Sequence, residues 1–173
     1  MSRWAEPQMI RFAMGLTAMF IVAMVPIWFW RNMAGVAYLF SLALLVFVEF
    51  FGVTGMGAQR WIDLGFMRLQ PSEVTKITLG MILAADYDWL PLNKVSHPLW
   101  VILPVVLILV PTFLVLKQPD LGTAILLLAG GGIVMFLAGV SWWYFGAVAA
   151  AIAGLISAVF TSRGKDWQLL QDY

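Results

Sequence analysis

The sequence predicts an all-α fold, a polytopic bundle of membrane-spanning helices, and three observations support this prediction. The chain of 173 residues is 62% hydrophobic and only 11% charged, whereas soluble domains are typically about 45–50% apolar and about 25% charged. Its apolar residues form segments of about 20 residues, the length that a helix needs to cross a bilayer. No run of alternating strand-length segments favours a barrel, the other fold that satisfies its backbone in lipid.

Six segments are predicted to span the membrane, and together they make residues 1–173 a single transmembrane domain. Their expected bounds are 12–30, 33–53, 71–90, 98–116, 121–140 and 142–160. The third segment is the least hydrophobic because it contains Glu73, Lys76 and Asp86.

Prolines and glycines inside these segments predict local features of the helices. Pro26, Pro104 and Pro111 are expected to kink their helices, which a bundle tolerates. The triplet Gly130-Gly131-Gly132 in the fifth segment favours close helix packing, with local weakening of the helix as the alternative reading.

Composition also excludes several functional classes. The net charge is +1, and the chain has no basic stripe of the kind that binds a nucleic-acid backbone, so no nucleic-acid partner is expected. Cysteine is absent, which excludes disulfides and thiolate metal sites. The first apolar segment is too long for a cleavable signal peptide.

Two short segments of similar pattern are expected to lie on one membrane face, since two spans separate them. Residues 68–73 contain Arg68, then Gln-Pro, then Glu73, and residues 117–120 contain Lys117, then Gln-Pro, then Asp120. Proline is favoured in the first turn of a helix, and an acidic residue there faces the positive end of the helix dipole. Glu73 and Asp120 are therefore as consistent with ordinary helix starts as with a functional site.

Lys76 is less easily explained by helix capping. It lies one turn inside the third span, near a helix N-terminus where a cation is disfavoured. A lysine within a membrane segment needs a partner or a water-filled cavity and indicates a functional site. Glu73, three residues earlier, is the expected partner, and Asp120 is a second candidate. Glu49 in the second span adds another acid near the same face.

Arg60, Trp61 and Asp63 precede these residues in the connection between the second and third spans. Arginine and lysine at a membrane boundary suit a phosphate or pyrophosphate group, and Trp61 suits either stacking on a sugar or anchoring in the interface. The residues alone leave three interpretations open: an enzyme acting on a lipid-linked substrate, a transporter, or a set of polar contacts that holds the bundle together.

Several multi-residue stretches, in order along the chain, make a family resemblance specific. They are "GAQRWIDLG" (57–65), "RLQPSEVTK" (68–76), "KQPDLGTAILL" (117–127), "FLAGVSWWYFG" (136–146) and the terminal "LLQDY". The chain resembles the SEDS family (shape, elongation, division and sporulation proteins) over essentially its whole length, and most closely the RodA branch, whose division counterpart is FtsW.

The resemblance implies a peptidoglycan glycosyltransferase of cell-wall elongation and cell-shape maintenance in the bacterial cytoplasmic membrane. Such an enzyme polymerises lipid II, a sugar linked to undecaprenyl pyrophosphate, together with a class B penicillin-binding protein and the elongation machinery. A divalent cation, Mg or Mn, is the implied cofactor. The substrate-binding and supporting residues carried over are Arg60, Trp61, Glu73, Lys76, Lys117 and Asp120. Arg60 and Lys76 are expected near the pyrophosphate, with Glu73 and Asp120 holding Lys76.

Two departures from the family pattern follow from the same resemblance. The family has about ten spans, and six are predicted for this chain. The resemblance therefore implies that the chain is an N-terminal-side fragment of a family member. The aspartate implied as catalytic base lies in a His-Thr-Asp-Phe-like motif that this sequence lacks, and neither Asp166 nor Asp172 matches it. No catalytic residue is therefore assigned in this chain, and the chain alone is expected to be inactive.

The sequence supports two membrane orientations of the chain and more than one function. The face that carries the 54–73 connection also collects most of the basic residues, namely Arg3, Arg11, Arg60, Arg68, Lys117, Arg163 and Lys165. The positive-inside rule makes that face cytoplasmic, whereas the resemblance makes it the outer face. The rival functions are a lipid II flippase or other transporter, and a non-catalytic membrane interaction module.

Overall fold

The computed structural model describes residues 5–55, 58–63, 68–154 and 157, and within them the chain is a bundle of six helices with one small sheet. The helices are α1 (Ala5–Met24), α2 (Ile27–Phe51), α3 (Pro71–Trp89), α4 (Pro98–Lys117), α5 (Leu121–Leu137) and α6 (Trp142–Gly154). The strands are β1 (Val53–Gly55), β2 (Ala58–Asp63) and β3 (Arg68–Leu69). The predicted all-α bundle is confirmed, and the sheet is an addition to it.

The break between the first two helices is earlier than the sequence predicts. Pro26 has an extended backbone and caps α2, so it separates two helices instead of kinking one. A residue that precedes proline is pushed away from helical backbone angles, and α1 accordingly ends before Val25. Hydropathy merges the two helices because the apolar run Trp28-Phe29-Trp30 follows the break, and these aromatic residues belong to the first turn of α2.

Helix α3 lies against α2 along an interface that combines apolar and hydroxyl side chains. Leu45 on α2 and Leu83 on α3 are fully buried. Between them, the hydroxyls of Ser41 and Thr78 are 2.8 Å apart, and both residues are buried. Hydroxyl contacts of this kind link neighbouring helices in a bilayer, where neither side chain finds water.

Helix α4 continues through its two internal prolines, and α2 supplies a partner for one freed carbonyl. Pro111 has no N–H, so the carbonyl of Leu107, four residues earlier, cannot receive its usual helical hydrogen bond. The Tyr38 hydroxyl of α2 donates to that carbonyl at 2.7 Å. Tyr38 is thereby buried with its polar group satisfied.

The glycine triplet of α5 contributes to packing through its middle member. A Cβ added to Gly131 would approach the Ile108 side chain of α4 to 2.5 Å, whereas one added to Gly130 meets nothing within 4 Å. Helix α5 remains regular through the triplet. Of the two readings of these glycines, close packing therefore applies at Gly131. The helix ends three residues earlier than the predicted span, because Gly139 adopts a φ of 97° that stops it.

The connection between α2 and α3 is folded into an antiparallel sheet of order β1-β2-β3 within its described residues. Val53 is opposite Trp61, and Ile62 is opposite Leu69. The sheet lies at the end of α2 and the start of α3, and β3 leads directly into Gln70, the N-cap of α3.

The outer faces of the bundle are apolar and exposed. Phe40, Phe47, Leu109, Phe113 and Leu126 are among the large hydrophobic side chains that no other part of the described structure covers. Contiguous apolar surface on this scale marks a membrane or protein interface. Among the described helices, α2 and α4 are both long and apolar enough to cross a bilayer, by length and composition.

Candidate functional site

The candidate site is the end of the bundle that carries the sheet, which we call the sheet end. It comprises the end of α2, the three strands, the first turns of α3, and the link between α4 and α5. Its charged and amide side chains with described contacts are Glu49, Gln70, Glu73, Lys76, Lys117, Gln118 and Asp120.

At the start of α3, Pro71 occupies the first helical position and Glu73 the first turn, as the sequence predicts. The Lys76 ammonium lies 2.8 Å from each carboxylate oxygen of Glu73. This is the expected pairing of residues three apart on one helix face. The lysine side chain is 29% exposed and that of Glu73 is 59% exposed, so the pair sits at the edge of the bundle.

At the start of α5, Asp120 caps the helix with both carboxylate oxygens. Oδ1 accepts the backbone N–H of Thr123 at 3.1 Å, and Oδ2 accepts the Thr123 hydroxyl at 2.9 Å. Asp120 is thus the N-cap itself, with the helix beginning at Leu121, whereas Glu73 lies inside its helix.

The two Gln-Pro segments do meet at the sheet end. The Gln70 amide donates to Asp120 Oδ2 at 3.4 Å, which joins the start of α3 to the start of α5. That contact confirms that the two segments share one face of the bundle. The sequence predicts Asp120 as a second candidate partner of Lys76. Among the described contacts, Asp120 instead accepts from Gln70, and Lys76 pairs with Glu73 and makes no ion pair with Asp120.

The end of α4 is attached to α2 by two further polar contacts. The Lys117 ammonium is 3.8 Å from Glu49 Oε1 and lies 5.4 Å from the ring centroid of Phe113. The Gln118 amide is buried and donates to the Leu45 carbonyl at 3.1 Å. A carbonyl oxygen has two lone pairs, so the Leu45 carbonyl can accept this bond in addition to its bond within the helix.

Arg60 and Trp61 lie on β2, the central strand of the sheet. Trp61 is half-buried, and its backbone lies opposite that of Val53. The Arg60 side chain lies outside the described residues, as do Arg3, Asp166, Asp172 and the terminal "LLQDY" stretch. The predicted roles of Arg60 and Trp61 at a pyrophosphate therefore stay predictions.

Gln70 and Gln118 are contributors that reasoning from sequence did not single out. Each belongs to a Gln-Pro pair, and the repetition of that pair was the available signal. The proline of each pair accounts for the helix start, and the amide provides the contact between elements in both cases.

Comparison with known proteins agrees with this architecture. A family model covering FtsW, RodA and SpoVE, described as cell cycle protein, matches residues 3–171. MrdB of Escherichia coli strain K12, named a peptidoglycan glycosyltransferase, is 37% identical over 165 residues, which cover 94% of this chain and 44% of that protein. An Escherichia coli FtsW, named a probable peptidoglycan glycosyltransferase, is 40% identical over 146 residues, covering 81% and 34% of the two chains.

Solved structures give the same result at the level of the fold. The Thermus thermophilus rod shape determining protein RodA superposes with a TM-score of 0.72 at 32% identity, covering 86% of this chain and 48% of RodA. A chain of a peptidoglycan synthase complex superposes with a TM-score of 0.79 at 31% identity, covering 90% and 46%. The chain spans less than half the length of these relatives. With the family model matching nearly every residue, the chain belongs to the FtsW/RodA/SpoVE family of cell cycle proteins.

Proposed function

We propose that this chain provides the substrate-side scaffold of a peptidoglycan glycosyltransferase that polymerises lipid II. The observation that carries the proposal is the convergence of four helix ends and a sheet at one boundary of the bundle, with Lys76 and Lys117 among the side chains there. The relatives named peptidoglycan glycosyltransferase supply the reaction class.

In this proposal, the chain binds and positions the substrate without supplying the catalytic base. A pyrophosphate leaving group develops negative charge as the bond to the sugar breaks, and fixed cations near that charge stabilise the transition state. Lys76 and Arg60 are the cations assigned to that group. Glu73 holds the Lys76 ammonium, and Asp120, through Gln70, fixes the start of α3 on which Lys76 lies.

A divalent cation, Mg or Mn, remains part of the proposed activity, but these residues do not form a metal site by themselves. Within the described part of the chain, no group of three or more potential ligands is close enough to hold an ion. Asp120 is used as a helix cap, and Glu73 is paired with Lys76. Mg²⁺ is commonly held by one or two carboxylates together with substrate phosphates, and no step above depends on a bound ion.

The proposed partner is a class B penicillin-binding protein that crosslinks the new strands. Its support is the structural relative, which belongs to a synthase complex that coordinates polymerization and crosslinking.

The test uses a chimera in which this chain replaces the matching part of MrdB, after the unsubstituted chimera has been shown to polymerise purified lipid II. Lys76→Ala is expected to reduce glycan formation by about 100-fold, the scale of losing one charge-stabilising donor, while membrane insertion is retained. Lys94→Ala is the matched control, because Lys94 lies in the α3–α4 connection at the opposite end.

Two outcomes contradict the proposal. Normal polymerisation by Lys76→Ala, with stability changed, would indicate that the sheet end is only a structural contact. Failure of the unsubstituted full-length relative to form polymer from lipid II on the correct leaflet, together with lipid II translocation, would favour a flippase.

A further inference from the structure

A groove at the end of the bundle opposite the sheet has no part in the function proposed above. It lies between the first turns of α2 and the last two turns of α3, and its volume is about 530 Å³. Its walls are mainly apolar, formed by residues such as Ile27, Trp28, Met81 and Ala85. This volume is within the range of about 300–1,000 Å³ that is typical of small-molecule sites.

The mouth of the groove carries one cation and one anion. Arg31 Nη1 donates to Asp88 Oδ2 at 2.8 Å, and both residues line the groove. Their side chains are 51% and 56% exposed. An ion pair exposed to this degree contributes little to stability, so a ligand that offers each partner an equivalent contact can separate the pair at little cost.

The surroundings of the groove indicate a lipid as the occupant. Trp28 and Trp30 lie beside the charged mouth, and tryptophan concentrates where the hydrocarbon meets the head groups. Met81 lies about 10 Å deeper than Asp88 along α3, given a rise of 1.5 Å per residue. This depth falls within the roughly 15 Å of hydrocarbon in one leaflet, so the apolar walls lie where an acyl chain is found.

We propose that this groove binds a zwitterionic phospholipid with a primary ammonium, such as phosphatidylethanolamine. The planar Arg31 guanidinium matches the geometry of a phosphate group, and the Asp88 carboxylate accepts from the ammonium. The acyl chain lies along Met81 and Ala85. A purely anionic lipid satisfies Arg31 and is repelled by Asp88, so the charges at the mouth favour the zwitterion.

The experiment measures lipid retention by native mass spectrometry, with the protein released from nanodiscs of equimolar phosphatidylethanolamine and phosphatidylglycerol. The wild-type protein is expected to retain phosphatidylethanolamine with a several-fold preference. Asp88→Asn, nearly identical in shape, is expected to abolish that preference. Arg31→Gln is expected to weaken retention of both lipids, and Ala85→Trp, which fills the groove, is expected to prevent it.

Lys94→Gln is the matched control, since Lys94 is another cation at this end of the bundle but does not line the groove. It is expected to leave retention unchanged. A wild-type preference for phosphatidylglycerol would overturn the proposal in favour of an anionic lipid. An unchanged preference in Asp88→Asn would also overturn it, and that variant does so even if Ala85→Trp fails to fold.

Discussion

At the sheet end, two similar sequence patterns give their acidic residues different structural roles. The pattern of a base, Gln-Pro and an acid occurs twice, but the acid follows the proline by two residues at Glu73 and by one at Asp120. Helix α3 begins at its proline, so Glu73 lies inside the helix, whereas α5 begins after Asp120, which becomes the cap. Sequence predicted both helix starts and the Glu73–Lys76 pair. It could not predict the Gln70–Asp120 contact, because that depends on how two helices are placed.

The double role of Asp120 gives a prediction at this scale. Asp120→Ala is expected to lower the free energy of unfolding by about 1 kcal/mol, since the Thr123 N–H loses its acceptor. Asp120→Asn is expected to retain most of that stability, because asparagine is an equally good N-cap. Thermal unfolding in detergent measures both variants.

The same pair separates capping from charge in the proposed activity. If the negative charge of Asp120 matters to substrate positioning, Asp120→Asn lowers polymerisation by the full-length chimera while stability is maintained. Equal losses of stability in the two variants would show that the carboxylate does not act as a cap.

At the scale of elements, sequence patterns located the helices well and their partners poorly. Five of the six helices begin or end within a few residues of the predicted spans, since apolar runs and helix-start signals are local features. Hydropathy misplaces the α1–α2 boundary because it gives a proline no special weight. The sheet was not expected, because β1 and β3 contain three and two residues and are ordered only by pairing with β2.

The contact between Tyr38 and the Leu107 carbonyl provides a prediction about α2 and α4. Tyr38→Phe is expected to cost about 1 kcal/mol, the usual contribution of such a hydrogen bond between helices. In a Pro111→Ala background the cost is expected to be smaller, because the restored backbone N–H satisfies the same carbonyl.

A double-mutant cycle of unfolding free energies in detergent measures this coupling. Thr112 neighbours Pro111, and its hydroxyl already bonds to the Ile108 carbonyl, so Thr112→Val in combination with Tyr38→Phe provides a control expected to be additive. An equal cost of Tyr38→Phe in the presence and absence of Pro111 would contradict the assignment.

At the scale of the whole molecule, the chain is a multi-pass protein of the inner membrane whose ends differ in chemistry. The sheet end gathers ion pairs and helix caps, and the opposite end has the apolar groove with the exposed Arg31–Asp88 pair. Sequence alone predicted that residues 54–73 and 117–122 share a face, because the number of intervening spans determines sidedness. It left open which side of the membrane that face meets.

The family topology predicts that the sheet end lies on the outer side. A cysteine introduced at Gln59, on β2, is expected to react with a membrane-impermeant thiol reagent in intact spheroplasts, since the natural chain has no cysteine to interfere. A cysteine at Asn93, in the α3–α4 connection, is expected to react only after lysis. The reverse labelling pattern would support the orientation given by the positive-inside count.

The small sheet has a consequence for any ligand that reaches the central strand. Pairing of Trp61 with β1 and of Ile62 with β3 fixes the backbone of β2 before a ligand arrives, and the register shift between Val53 and Thr54 leaves Arg60 as the extra residue of a bulge next to Trp61. Ordering a free loop costs about 1–2 kcal/mol of conformational entropy per residue. Here that ordering accompanies folding, so binding begins from a preorganised strand and more of the contact energy can appear as affinity.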